Sequence, residues 1–163
     1  MAEEQKENKK RVAMIVMSGD LERLFGAFII ATGAAAAGME VSMFFTFWGL
    51  RAIKAARRTG RSFLGRMLGF LERGDIRRAS PSRYSFLGLG RWIFGKMMRS
   101  HRVPTLTELR QTALDLGVKF YGCQMSLEVM EIPREALIPE VTACVGVAHF
   151  LEQAKEADIS LFI

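Results

Sequence analysis

Short apolar runs alternate with longer amphipathic stretches along this chain. Residues 12–17 (VAMIVM) lie between a charged tail and Ser18-Gly19-Asp20, the pattern of a strand buried on both faces, followed by a turn and a helix cap. The Ala-rich stretch 21–37 then predicts a helix that stops at Gly38. Residues 41–45 have the β-branched and aromatic composition of a second strand.

The same alternation returns after residue 102. Pro104 and Thr105 open a predicted helix that ends before Gly117, and residues 118–122 form a third apolar run. A further helix is predicted from Gln124. The remaining predicted elements are a strand at 141–144, a helix at 146–157 and a strand at 159–163. This order favours an α/β fold in which five short strands form a parallel sheet with helices on both faces.

The first apolar stretch also allows a membrane interpretation. Residues 24–39 contain no charge, and only Glu40 interrupts the apolar stretch that continues to residue 50. Against a membrane span stand this glutamate, the three glycines at 26, 33 and 38, and the change to strand composition at Val41. A helix and a strand of a soluble core explain all of these features.

The positive charge is concentrated in one segment. The chain carries +6 overall with an isoelectric point near 9.7. Residues 51–102 contain fourteen basic and two acidic residues, a net charge of +12, so the remainder carries −6. We therefore interpret 51–102 as a basic insertion into an otherwise ordinary domain. Nucleic acid, an anionic membrane and an acidic protein all suit such charge, but no nucleic-acid-binding motif accompanies it, and we expect no nucleic-acid partner.

Within the insertion, residues 83–98 mix aromatic side chains, glycines and cations. A surface helix on a membrane, a contact with a partner's acidic face and a flap over the functional site all fit this composition. The sequence leaves these three alternatives open.

Two cysteines are too few for a disulfide scaffold, and the charged start lacks the apolar core of a signal peptide. A reducing cytoplasm is therefore the expected location. Their spacing of twenty-one residues, without clustered histidines, argues against a zinc site, and we expect no metal.

Cys123 is the candidate reactive residue. It follows a predicted buried strand and precedes a predicted helix, so it should lie at the carboxyl end of the sheet, beside a helix N-terminus that favours a thiolate. Gly122 removes a side chain from this point, and Ser126 is placed to hydrogen-bond the sulfur or to cap the helix. The alternative is a buried, inert cysteine.

Other candidates are expected at the same edge of the sheet. Cys144, at the end of the predicted fourth strand, is either a resolving thiol for Cys123 or a packed core thiol, and no CxxC spacing supports the first role. An apolar pocket over the thiol would be walled by residues that follow the first two strands. These are Ser18, Gly19, Asp20, Phe47 and Trp48.

Three stretches carry a resemblance to a known family. They are VAMIVMSGDLERLFGAFIIATGAAAAGMEVSMFFTFWGL, KFYGCQMSLEVM and GVAHFLEQAKEADISLFI. With them the chain resembles the DsrE/DsrF/DsrH-like proteins, in the branch often labelled DsrE-like or peroxiredoxin family, over nearly its whole length outside the insertion. The Pro-x-x-x-Thr-x-x-Cys arrangement of a peroxidatic site is missing from the sequence.

The resemblance implies a single domain over residues 1–163, a three-layer α/β/α fold with a mainly parallel five-stranded sheet, and a homo-oligomer. It further implies a sulfurtransferase or sulfur carrier whose cysteine, here Cys123, takes sulfane sulfur as a persulfide. The acceptor would be a TusA-like or rhodanese-like carrier protein. No cofactor is expected, because the sulfur is the cargo. Members of this branch can carry insertions that associate with membranes, which fits residues 51–102, and peripheral membrane contact is expected through 83–98.

Two alternatives of other classes remain at this point. One is a non-catalytic membrane-peripheral or scaffolding protein that binds through the insertion. The other is a thiol redox protein that uses Cys123 and Cys144.

Overall fold

A five-stranded parallel sheet organises the fold. The computed structural model describes residues 9–55, 59–60, 62–63, 66–67, 75–81 and 89–163. The strands are β1 (Arg11–Val16), β2 (Glu40–Phe45), β3 (Lys119–Cys123), β4 (Ala143–Val145) and β5 (Ile159–Phe162). They lie in the order β4-β3-β2-β1-β5, and every neighbouring pair is parallel. The predicted α/β class and sheet are therefore confirmed.

Helices connect the strands. The α-helices are α1 (Leu21–Ala36), α2 (Leu89–Ser100), α3 (Leu106–Asp115), α4 (Gln124–Val129) and α5 (Val147–Ala154), and 3₁₀ turns cover Phe47–Ile53, Ile76–Arg78 and Arg134–Ala136. Four of these α-helices agree with the predicted ones to within a few residues. The helix α2 was not predicted, because its glycines and aromatic side chains masked the helical pattern; residues 83–88 of that stretch lie outside the described residues.

One face of the sheet carries the larger core. Apolar side chains of α1 and α3 pack there against alternate strand residues. The rings of Phe28, Phe45 and Phe120 meet with centroids 5.3 to 6.3 Å apart, and all three are fully buried. Each buried phenylalanine side chain contributes about 1.5–3 kcal/mol of hydrophobic stabilisation.

The opposite face is covered by α5. Phe150 of this helix stacks on Phe44 with ring centroids 4.9 Å apart and also lies beside Tyr121. Strand register places one side chain from each strand in a single row across this face. The row is Ala143, Tyr121, Phe44, Ile15 and Phe162. Helices on both faces make the three layers of the predicted architecture.

The first apolar stretch contains a helix and a strand, not a membrane span. Residues 24–50 comprise most of α1, all of β2 and the start of the 3₁₀ turn that follows it. Gly38 ends the helical region with φ +83°, a conformation that suits glycine. Within the part of the chain that the structure describes, no helix is both long and apolar enough to span a bilayer.

The basic segment is partly built into the core. Ala52, Ile53, Ile76 and Ala79 are all at most 1% exposed and pack in the larger cluster. Lys54 forms an antiparallel bridge with Leu137, which joins the start of the segment to the chain after α4. These four apolar residues of the predicted insertion therefore contribute to the core of the domain.

Candidate functional site

Cys123 lies where β3 passes into α4. It is the last residue of the strand and the N-cap of the helix, at the carboxyl edge of the parallel sheet, as the sequence predicted. Its side chain is only 4% exposed and packs with Phe44, Tyr121 and Phe150 on the face that α5 covers. The thiol is thus held at the end of an apolar layer.

Two hydroxyl groups stand beside this thiol. Thr46 directly follows β2, and Ser126 is the third residue of α4. Their Oγ atoms lie 2.8 Å apart, a hydrogen bond in which either oxygen can be the donor. Thr46 is 9% exposed and Ser126 is fully buried. A hydrogen bond therefore links the residue after β2 to the first turn of α4, next to the sulfur.

The surroundings of Cys123 favour the thiolate. Burial raises the pKa of the thiol, while the hydroxyls of Ser126 and Thr46 and the backbone N–H groups of Ser126 and Met125 lower it; together these groups outweigh burial, so the pKa lies below its ordinary value. In the structure the sulfur makes no capping hydrogen bond to the helix. The N–H groups act as nearby dipoles that stabilise negative charge.

The side chain of Cys144 points to the other face of the sheet, and a side chain at Gly122 would point the same way. The two residues are register partners in β4 and β3, and a Cβ added to Gly122 would stand 3.5 Å from the Cys144 sulfur. Because neighbouring strand residues point to opposite faces, this sulfur and the Cys123 sulfur are separated by the sheet. The space left by Gly122 accordingly lies on the side away from the Cys123 thiol.

Cys144 also differs electrostatically. Burial raises the pKa of its thiol, and the nearby charge of Arg134 only partly offsets this. The sulfur faces a cleft whose lining includes Leu127 and Arg134. Direct disulfide formation with Cys123 would require β4 to leave its place in the sheet.

The two loops predicted near the thiol meet each other. A Cβ on Gly19 would lie 2.6 Å from the carbonyl oxygen of Trp48, so the loop after β1 packs directly on the turn after β2. Ser18 donates a hydrogen bond to Asp20 and accepts one from the backbone N–H of Asp20. Phe47 is half-buried with φ +43°, and Trp48 is 47% exposed.

Thr46 is the site residue that sequence reasoning missed. The residues predicted after β2 were the aromatic Phe47 and Trp48, whereas the side chain next to the thiol belongs to the threonine that precedes them. A usable signal was present, since Thr46 directly follows β2 and Cys123 is the last residue of β3, and polar side chains at the carboxyl ends of adjacent parallel strands converge.

The five-stranded parallel sheet with helices on both faces places the chain among the three-layer α/β proteins. The sequence model of the DsrE/DsrF/DrsH-like family matches residues 8–162. The chain belongs to this family.

Two curated proteins are similar over almost their full length. Protein YrkE of Bacillus subtilis is 33% identical over 159 residues, covering 96% of this chain and 99% of that protein. The sulfur carrier protein DsrE2 of Allochromatium vinosum is 29% identical over 172 residues, covering 95% of this chain and 99% of that protein.

Solved structures share the fold at low identity. The ychN protein of E. coli superposes with a TM-score of 0.59 at 10% identity, covering 94% of this chain and 99% of that one. The protein MTH1491 of Methanobacterium thermoautotrophicum gives 0.53 at 13% identity, with 95% and 100% covered. These likenesses establish the architecture.

Proposed function

We propose that this protein is a sulfur carrier that holds sulfane sulfur as a persulfide on Cys123 and passes it to an acceptor thiol. The observation that carries the proposal is the buried Cys123 thiol, whose pKa is lowered by the neighbouring hydroxyl and N–H groups. The likeness to the sulfur carrier protein DsrE2 over nearly the whole chain supports it.

The proposed chemistry is two thiol exchanges. In loading, the Cys123 thiolate attacks the outer sulfur of a donor persulfide, R–S–SH. The donor's S–S bond breaks, its thiolate leaves with the electron pair, and Cys123–S–SH forms. In unloading, an acceptor thiolate attacks the outer sulfur, becomes the new persulfide and releases the Cys123 thiolate. No net oxidation or reduction occurs, so neither step needs an oxidant.

The environment of the thiol suits this cycle. A thiolate is the attacking species in loading and the leaving group in unloading, and a lowered thiol pKa favours both. The apolar side chains of Phe44, Tyr121 and Phe150 around the site limit access of water, which favours retention of the bound sulfur. As acceptor we propose a small protein that presents an accessible thiol.

The test is mass analysis of the intact protein after incubation with polysulfide. Wild-type protein should gain the mass of one sulfur atom, and reduction should remove it. The variant Cys123→Ser should gain none, because no thiolate remains at this edge of the sheet.

Cys144→Ser is the matched control. It removes the other thiol, which lies across the sheet and whose pKa is raised, so this variant should load like wild type. If Cys123→Ser still takes up one sulfur, or if Cys144→Ser takes up none, the proposal is wrong. A disulfide between the two cysteines after mild peroxide treatment would instead favour the redox function.

A further inference from the structure

The Thr46–Ser126 pair has a geometry that goes beyond simple proximity to the sulfur. Both side chains are at least nine-tenths buried, and their oxygens are 2.8 Å apart. Two hydroxyl groups carry two protons. The bond between the oxygens uses one of them, so one proton remains for an acceptor outside the pair.

The position of Ser126 indicates which residue has the remaining proton. Ser126 is three residues after Cys123, on the first turn of the helix that Cys123 caps, and at this spacing the helix side chain faces the capping residue. If Thr46 donates to the Ser126 oxygen, the Ser126 proton is left for the sulfur. Donation to an oxygen also strengthens that oxygen's own O–H as a donor.

The backbone holds Thr46 in place for this role. Its N–H donates to the carbonyl of Val16 at the end of β1, and its own carbonyl accepts from the N–H of Gly49. The threonine is therefore fixed between the first strand and the 3₁₀ turn. Ser126, by contrast, belongs to a helix of only six residues and gains a fixed partner on the sheet through Thr46.

We propose that Thr46 is a positioning residue that acts through Ser126: it donates its hydroxyl proton to the Ser126 oxygen and thereby directs the Ser126 proton to the Cys123 thiolate. The relay runs from Thr46, just after β2, through Ser126 of α4 to the sulfur. It deepens the proposed sulfur-carrier function, but it concerns the state of the thiol before any sulfur arrives.

The surroundings of the thiol make the relay measurable. Among the described residues, the groups that change the pKa of Cys123 are hydroxyls and N–H dipoles, with no charged side chain among them. On the same face of the sheet, the titratable side chains of Tyr121 of β3 and His149 of α5 have their rings 6.5 Å apart. Neither belongs to the pair, so variants of Thr46 and Ser126 leave both in place.

The experiment follows the rate of Cys123 alkylation against pH, in a Cys144→Ser background so that one thiol reacts. The midpoint of the profile reports the thiol pKa independently of how accessible the buried sulfur is. Ser126→Ala should move the midpoint to higher pH, and Thr46→Val should move it in the same direction by less. Thr46→Ser keeps the hydroxyl and should restore the wild-type midpoint.

The double variant distinguishes a relay from two separate contacts. If Thr46 acts through Ser126, Thr46→Val should have no further effect once Ser126→Ala is present, so the double variant should match Ser126→Ala. Additive effects on the midpoint, or an unchanged midpoint in either single variant, would overturn the relay.

At a fixed pH below the midpoint, a tenfold rise in the thiol's proton affinity should slow alkylation only about threefold, because a thiolate of higher pKa is intrinsically more nucleophilic.

Sulfur loading is measured separately on the same proteins. If the Cys144→Ser protein takes up no sulfur while the alkylation midpoints shift as expected, the carrier function is contradicted and the relay stands. If it takes up one sulfur while the midpoints of the Thr46 and Ser126 variants are unchanged, the relay is contradicted and the carrier function stands. Thermal unfolding by circular dichroism identifies any variant that has lost its fold, and Thr46→Ser then provides a folded comparison at the same position.

Discussion

The tightest contacts of single residues lie where the turn after β2 meets the end of β1. A Cβ added to Gly49 would stand 2.1 Å from the carbonyl oxygen of Val16, and the N–H of Gly49 donates to the carbonyl of Met17. The same carbonyl of Val16 accepts from Thr46. A glycine at position 49 therefore keeps Thr46 at its place beside Ser126.

We predict that Gly49→Ala destabilises the protein, because the methyl group cannot fit against backbone atoms. The expected loss is about 3 kcal/mol, at the upper end for overpacking. Gly33→Ala in α1 is the control, since a Cβ there meets nothing within 4 Å; it should gain about 1 kcal/mol from better helix propensity. Urea unfolding measures both, and equal effects of the two variants would refute the packing argument.

At the scale of elements, the N-terminus of α3 is capped by side chains of its own segment. The Thr105 hydroxyl accepts from the N–H of Glu108, and the Glu108 carboxylate accepts from the N–H of Thr105, which is a capping box. The sequence predicted this start from Pro104 and Thr105. Local patterns of this kind explain why most helix and strand positions were predictable, whereas α2 lacked such a signal.

Thr105→Ala should therefore cost about 1 kcal/mol of stability.

The pKa of Glu108 is lowered by its hydrogen bonds to the backbone and hydroxyl of Thr105. A group whose pKa is lower in the folded state stabilises the protein above its unfolded pKa, and this contribution is lost as the pH falls through the folded pKa. On acidification, wild type should thus lose more stability than Glu108→Gln. Denaturant midpoints at neutral and acidic pH test this, and parallel losses would contradict it.

At the scale of the whole molecule, the two faces of the sheet are covered unequally. The face that α5 covers carries exposed apolar side chains. Phe162 of β5 is 69% exposed, and Val147 and Leu151, four residues apart on α5, are 54% and 51% exposed. Exposed apolar side chains of this size are what an interface between proteins covers. A homo-oligomer, which the family resemblance implies, would cover them.

We therefore expect Phe162→Glu to lower the oligomeric state, since a charge would be buried between subunits. Ile29→Glu is the matched control, because Ile29 is 53% exposed but belongs to α1 on the other face. Light scattering during size-exclusion chromatography gives the mass of each variant. A monomeric wild type, or an unchanged mass for Phe162→Glu, would count against this interface.

By itself, the sequence determined most of the helices and strands and the position of Cys123. Runs such as residues 12–17 and the Ala-rich stretch of α1 encode strand and helix through local periodicity and propensity, and the β3–α4 boundary put Cys123 at the carboxyl edge of the sheet. These features depend on residues close together in the chain.

Only the tertiary structure decided what surrounds the sulfur. Thr46 and Ser126 are eighty positions apart, and they meet because β2 and β3 are neighbours in the sheet. Register likewise separates the two cysteines, since pairing of Gly122 with Cys144 turns the second sulfur to the opposite face. Strand order and register arise from packing between distant segments, and a one-residue slip reverses every side chain. No local pattern in the sequence encodes them.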